Sequence, residues 1–147
     1  MLLWLNLREI STAMDETISF LLDTHIALWI MLGDKRLEPD AFKARFQTNH
    51  NQFIFHQTSL WEIQIKYDIG KLKLPRRPGH WIYEAVLKSG MRYERIEDGA
   101  IFALGKLPPL HRDPFDRLLI AHALTRKWTI ITADQTLDEY PIEVECV

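Results

Sequence analysis

The sequence predicts a three-layer α/β/α sandwich built around a four- to five-stranded parallel sheet. Three observations predict it. Short apolar runs of strand length recur along the chain. Stretches of helix length separate them, closed by Gly33, Gly70, Gly90 or the Pro108-Pro109 pair. The alternation continues to the C terminus with no repeat, low-complexity tract or linker, so one domain accounts for it.

Taken in order, "ISFLLD" (Ile18 to Asp23) reads as a short buried strand. "THIALWIMLG" follows as a helix ending at Gly33, and "EPDAFKARFQT" as a second, with Pro39 in its first turn. "QFIFHQ" (Gln52 to Gln57) is the second strand, and "SLWEIQIKYDIGKL" an amphipathic helix that stops at Gly70. "GHWIYEAVLKSG" is helical to Gly90, and "RYERI" (Arg92 to Ile96) is a weaker third strand. "EDGAIFALGKL" and "PFDRLLIAHALTRK" are helices on either side of the proline break. "WTIIT" (Trp128 to Thr132) is the fourth strand, and "IEVECV" a fifth at an edge.

The 147 residues suit one domain with a sizeable core, and 47% hydrophobic with 26% charged is ordinary globular composition. A net charge of −2 excludes wholesale polyanion binding by composition. The one cysteine, Cys146, leaves no internal disulfide and no cysteine-rich zinc site, and points to a reducing, cytoplasmic setting. The six histidines show no metal-ligand spacing. The opening "MLLWLNL" is too short to span a membrane, which takes ~20 residues, and lacks the marks of a signal peptide. Residues 1–17 are expected to be an appendage, or to reflect a start at Met14.

Chemistry is carried by acids. Ligands of open parallel sheets bind beyond the carboxyl ends of the strands. Asp23 ends strand one, Asp134 lies two residues beyond strand four, and Glu62 is expected on the first turn after strand two. Asp113 and Asp116 open the helix that leads into strand four. Four carboxylates thus converge on one edge: Asp23, Glu62, Asp116 and Asp134. Crowded carboxylates raise one another's pKa and oppose folding unless a cation joins them. Oxygen ligands without Cys or His suit Mg²⁺ or Mn²⁺, and such an ion favours phosphodiester hydrolysis.

Local explanations compete with each of these. Asp113 before Pro114 fits an N-cap with proline at N1, and Asp116 would then be a helpful N3 carboxylate. "SLWE" (Ser59 to Glu62) has the spacing of a capping box. Asp134 in "TADQT" suits a turn. Asp23 is hardest to explain away, because a charge closing an apolar strand is costly unless paired or exposed.

The segments "LLDTHIALW", "SLWEIQIKYDIGKL", "HRDPFDRLLIAHA" and "IITAD", in that order, resemble the PIN-domain family, and within it the VapC-type toxins of toxin–antitoxin pairs. The resemblance runs from Ile18 to the C terminus. It implies a metal-dependent ribonuclease using Mg²⁺ or Mn²⁺, with the family's four acids falling on Asp23, Glu62, Asp116 and Asp134. Asp113 is then the cap. Thr132 in "TAD" and Ser59 in "SLWE" would support the acids from behind. The resemblance also implies homodimerisation and silencing by a small antitoxin. Members of the family usually begin almost at strand one, so residues 1–17 depart from the pattern.

An acidic site needs a separate means of attracting RNA. "KYDIGKLKLPRRPGHW" carries Lys66, Lys71, Lys73, Arg76 and Arg77 against Asp68 alone. Lys71, Lys73, Arg76 and Arg77 could contact the RNA backbone, with Trp81 available for stacking. A solvated loop is the alternative. Other phosphate-handling classes fit poorly. A haloacid-dehalogenase-type phosphatase needs a second aspartate where His25 stands, a phosphoreceiver needs paired acids after strand one, and no glycine-rich nucleotide loop is present. The rival reading is a catalytically silent PIN-like module that binds RNA or protein; the presence of all four acids argues against it.

Overall fold

The computed structural model describes residues 17–48 and 50–147. The expected N-terminal appendage, including Met14, lies outside the described residues except for Thr17. Five strands form one sheet: β1 (Ser19–Leu22), β2 (Gln52–His56), β3 (Met91–Glu94), β4 (Thr129–Thr132) and β5 (Val144–Cys146). All neighbours are parallel, in the order β3-β2-β1-β4-β5. The helices are α1 (Thr24–Leu32), α2 (Pro39–Phe46), α3 (Gln57–Asp68), α4 (Pro78–Lys88), α5 (Asp98–Ala103) and α6 (Pro114–Arg126), with 3-10 turns at Leu104–Lys106 and Gln135–Glu139.

Alternation along the strands builds two cores. Phe20, Leu22, Phe53 and Phe55 point to one face, where they pack with Ile26, Phe42, Phe46, Ile63, Trp81 and Ile82 from α1 to α4. Leu21, Ile54 and Ile130 point to the other face, against Ala100 of α5 and Leu119 and Ile120 of α6. Each fully buried large side chain stabilises the fold by about 1.5–3 kcal/mol. Helices therefore cover both faces, which is the predicted three-layer sandwich. Among the described residues no helix is long and apolar enough to cross a membrane.

Two boundaries differ from the sequence reading. Strand β3 begins at Met91 and ends at Glu94, where His56 pairs with Glu94 and β2 stops. Beyond it the Ile96 N–H donates to Gln57 Oε1 at 3.0 Å, so the ladder ends. Helix α3 begins at Gln57, two residues before Ser59, because His56 caps it: the imidazole Nδ1 accepts from the Thr58 N–H at 3.1 Å. The "SLWE" capping box does not form. Ser59 and Glu62 lie inside the helix, and Glu62 falls in its second turn rather than its first.

The site follows from the topology. The chain leaves β1 to cross one face through α1 and α2, and reaches β4 from the other face through α5 and α6. Helices depart to opposite sides where β1 and β4 lie side by side, which opens a crevice at their carboxyl ends.

Candidate active site

Asp23 follows β1 directly and is only 7% exposed. Its N–H donates to Ile131 O, which fixes the backbone across the crevice. Its carboxylate does two jobs. One oxygen caps α1 through a long contact with the His25 N–H at 3.4 Å. The other accepts a 2.6 Å hydrogen bond from Thr132 Oγ1, at the end of β4. Burial pushes its pKa up, the Thr132 bond and nearby His25 partly offset this, and the charge of Glu62 adds to it.

Glu62 is 3% exposed. Its Oε2 accepts from Lys66 Nζ at 2.6 Å, one helical turn on, while its Oε1 is buried without a hydrogen-bond partner among the described residues. Ser59 lies one turn earlier, also buried, and its Oγ accepts from Thr24 Oγ1 at 2.9 Å. This ties α3 to the first residue of α1, next to Asp23.

Asp113 is the N-cap of α6, with Oδ1 accepting from the Phe115 and Asp116 N–H groups at 2.8 and 3.3 Å. Pro114 occupies the first helical position, so Asp116 falls at N3 with its side chain 19% exposed. A helix N-terminus favours a carboxylate, but here other effects win. Burial first, then the charges of Asp23, Asp113 and Glu62, push Asp116 up to about 7 against the pull of His111. Asp116 thus lies within electrostatic reach of Asp23 and Glu62.

Asp134 is the outermost acid, its side chain 40% exposed. Its Oδ1 accepts from the Thr136 N–H and hydroxyl at 3.0 and 2.7 Å, so it caps the following 3-10 turn. The Thr136 hydroxyl bond is the main reason its pKa is held below the usual value. Its N–H donates to Thr132 Oγ1 at 3.0 Å. Thr132 thus joins the outer acid's backbone to the inner acid's carboxylate.

The sequence reading missed His111. Its Nε2 lies 3.2 Å from Asp134 Oδ2 and 3.4 Å from Asp116 Oδ2. Among the described residues, His111, Asp116 and Asp134 form the one group of three or more His, Cys, Asp or Glu whose ligand atoms all lie within 4.8 Å of one another. The sequence reading did not place a histidine beside these acids. Spacing rules could not reveal it, since the ring meets an acid five residues on and another in a different loop. The usable signal was its place at the head of "HRDPFD".

The donor set fits a hard divalent cation. Among the described residues Glu62 Oε1 is an acceptor without a donor, and Asp116 is a carboxylate hard to ionise in its own surroundings. A cation among these oxygens relieves both costs.

The basic segment divides. Lys66 is bound to Glu62, and Arg76 to Glu84 at 2.6 Å. Lys71, Lys73 and Arg77 are exposed and form no ion pair among the described residues. Trp81 is not available for stacking; it is 8% exposed in the core below α4. Trp61, next to Glu62, is instead 54% exposed and meets Phe115, next to Asp116, edge to face at 5.0 Å.

A parallel sheet with acids gathered at its switch point defines a class of α/β proteins with an acidic crevice at the carboxyl ends of the strands. The PIN domain family model matches residues 20–143, and the chain belongs to that family. Among solved structures it is similar to the VapBC2 complex of Rickettsia felis bound to a promoter DNA fragment, at 17% identity and TM-score 0.67, over 88% of this chain and 98% of that one. DNA-bound VapBC from Salmonella typhimurium is similar at 18% identity and TM-score 0.64, with the same coverage. A domain of a functionally unknown Methanocaldococcus jannaschii protein follows at 12% identity and TM-score 0.51, over 89% and 91%. At these identities the likeness is one of fold. Comparison with curated protein sequences finds no significant match.

Proposed function

We propose that this protein is a divalent-metal-dependent endoribonuclease, the VapC-type toxin of a toxin–antitoxin pair, acting in the cytoplasm. The observation that carries the reading is the inner carboxylate group: Asp23 and Glu62 buried, Glu62 Oε1 without a donor among the described residues, and Asp116 pushed up to about 7. A fold that keeps such groups together at its switch point without enough countercharge is arranged for a cation.

Asp23, Glu62, Asp116 and Asp134 would hold Mg²⁺ or Mn²⁺, and the bound ion would supply charge to stabilise a leaving oxygen and to acidify water. The chain's own residues set the rest. Thr132 holds the Asp23 carboxylate, Ser59 ties α3 to Thr24 beside it, and the Trp61–Phe115 pair borders the acids with exposed aromatic surface. Lys71, Lys73 and Arg77, with Arg76 paired to Glu84, would carry RNA backbone contacts that do not read sequence. Exposed Tyr83 and Leu87 on α4 and Phe102 on α5 offer apolar surface for a homodimer or an antitoxin, the partner that the VapBC likeness supports.

The deciding experiment is incubation of purified protein with single-stranded RNA and Mg²⁺ or Mn²⁺, beside EDTA and Asp116→Asn controls. Cleavage that needs the metal and Asp116 is expected. Binding without cleavage under all conditions would replace this reading with that of a silent binding module.

A further inference from the structure

His111 meets the acid cluster through bonds that fix both its position and its polarity. Its backbone N–H donates to Tyr140 Oη at 2.7 Å, so buried Tyr140 pins the loop. Its ring Nδ1 receives the Asp113 N–H at 3.2 Å. That amide cannot turn away freely, because the Asp113 side chain is committed to capping α6. An amide nitrogen only donates, so Nδ1 presents its lone pair and the ring hydrogen sits on Nε2. Nε2 is the atom facing Asp134 Oδ2 at 3.2 Å and Asp116 Oδ2 at 3.4 Å. Ligation of a metal through Nε2 would move that hydrogen to Nδ1, where it would confront the Asp113 N–H donor against donor.

We infer that His111 is a positioning residue, an N–H donor that holds Asp134 across from Asp116, and that it stands outside the ligand set of the cation the acids hold. The inference rests on the metal-site reading of these acids. Its consequence is local. Asp134 is the most exposed acid, and Thr136 restrains only its Oδ1. Without His111, Oδ2 is free to swing toward solvent, and Asp134 no longer enters the cluster ready-made. Partners that orient metal ligands in this way are typically worth about 10–100-fold in affinity or activity.

The test uses the full chain and Mn²⁺, followed by electron paramagnetic resonance, in His111→Asn and His111→Gln. Asparagine keeps an acceptor near the Asp113 amide but cannot reach the acids; glutamine places an amide N–H near the Nε2 position. Mn²⁺ affinity should fall about tenfold or more in H111N, with an unchanged melting temperature, and recover at least partly in H111Q. The wild-type Mn²⁺ spectrum should show no coupling to a directly bound imidazole nitrogen. Such a coupling, lost in H111N, would make His111 a ligand and overturn the inference; so would an unchanged Mn²⁺ affinity in H111N. RNA cleavage is assayed separately, so an inactive wild type that still binds Mn²⁺ would defeat the ribonuclease reading while the titration still judges His111.

Discussion

The inner and outer halves of the crevice hold their carboxylates in opposite ways. Asp23 and Glu62, beneath α1 and α3, are buried, and Asp23 is harder to ionise than a free carboxyl. Asp134, on the loop after β4, is partly open to water, and its hydrogen bonds from Thr136 and His111 make it easier to ionise. Asp116 lies between them and is pushed up to about 7 by burial and by its acidic neighbours. The inner half is costly without a cation. The outer half is ordered by hydrogen bonds that stand without one. On the proposed metal-site reading, the inner acids supply charge that a cation would relieve and the outer acid is held in place beforehand.

The most damaging substitutions should fall in the inner half. Asp23→Asn and Asp116→Asn are expected to lower RNA cleavage by more than about a hundredfold, exceeding the loss typical of supporting residues, with the fold intact by circular dichroism. Cleavage within a few fold of wild type in either variant would remove that residue from the metal site. Thr132→Val should come next, at about 10–100-fold, because it removes the only side chain among the described residues that donates to Asp23 while keeping the volume. If T132V matches wild type, the link between the two halves is structural only.

The pH dependence of the metal-free protein sharpens the contrast. Asp116 has a raised pKa in the folded state, so its contribution to stability is complete below its ordinary value of 3.8 and is lost as pH rises through about 7. Asp23 acts in the same direction. His56 opposes them at the acid end: burial pushes it down to about 3, so its contribution is present above about 6.5 and is lost as pH falls. The clean measurement is the difference in melting temperature between Asp116→Asn and wild type in EDTA, which should grow in favour of the variant between pH 4 and 8. Mn²⁺ should abolish the variant's advantage at pH 8, because the ion binds the deprotonated carboxylate. A difference that does not vary with pH would place the Asp116 proton elsewhere.

Smaller effects are expected outside the acids. Asp113→Ala should cost about 1 kcal/mol in a denaturant titration through loss of the α6 cap, and Asp113→Asn much less. Lys71→Gln with Lys73→Gln should flatten the slope of log RNA affinity against log salt by roughly 1.4, if each contacts one phosphate of a single strand. An unchanged slope would make this stretch a solvated loop and move the RNA track elsewhere.

Much of this was legible in one dimension. The strand at residues 19–22, the stop at Gly33 and the Asp113-Pro114 helix start follow from apolar runs, left-handed glycine and proline chemistry, all of which act between near neighbours. The order of the acids along the chain placed Asp23 and Asp134 at one sheet edge, because parallel strands end together. What stayed hidden depends on contacts between distant segments. His56 displaced Ser59 as the cap of α3 because β2 runs into the helix without a loop, and local spacing alone favoured "SLWE". Trp81 and Trp61 both sit on helices, and only packing of α3 and α4 on the sheet decided which was buried and which stood beside the acids. His111 joined the cluster through an amide, a tyrosine and two aspartates brought together by folding. The sequence by itself determined the three-layer fold class and where along the chain the candidate acids fall. The tertiary structure alone decided which were buried and hard to ionise, because desolvation and charge coupling depend on distances in space.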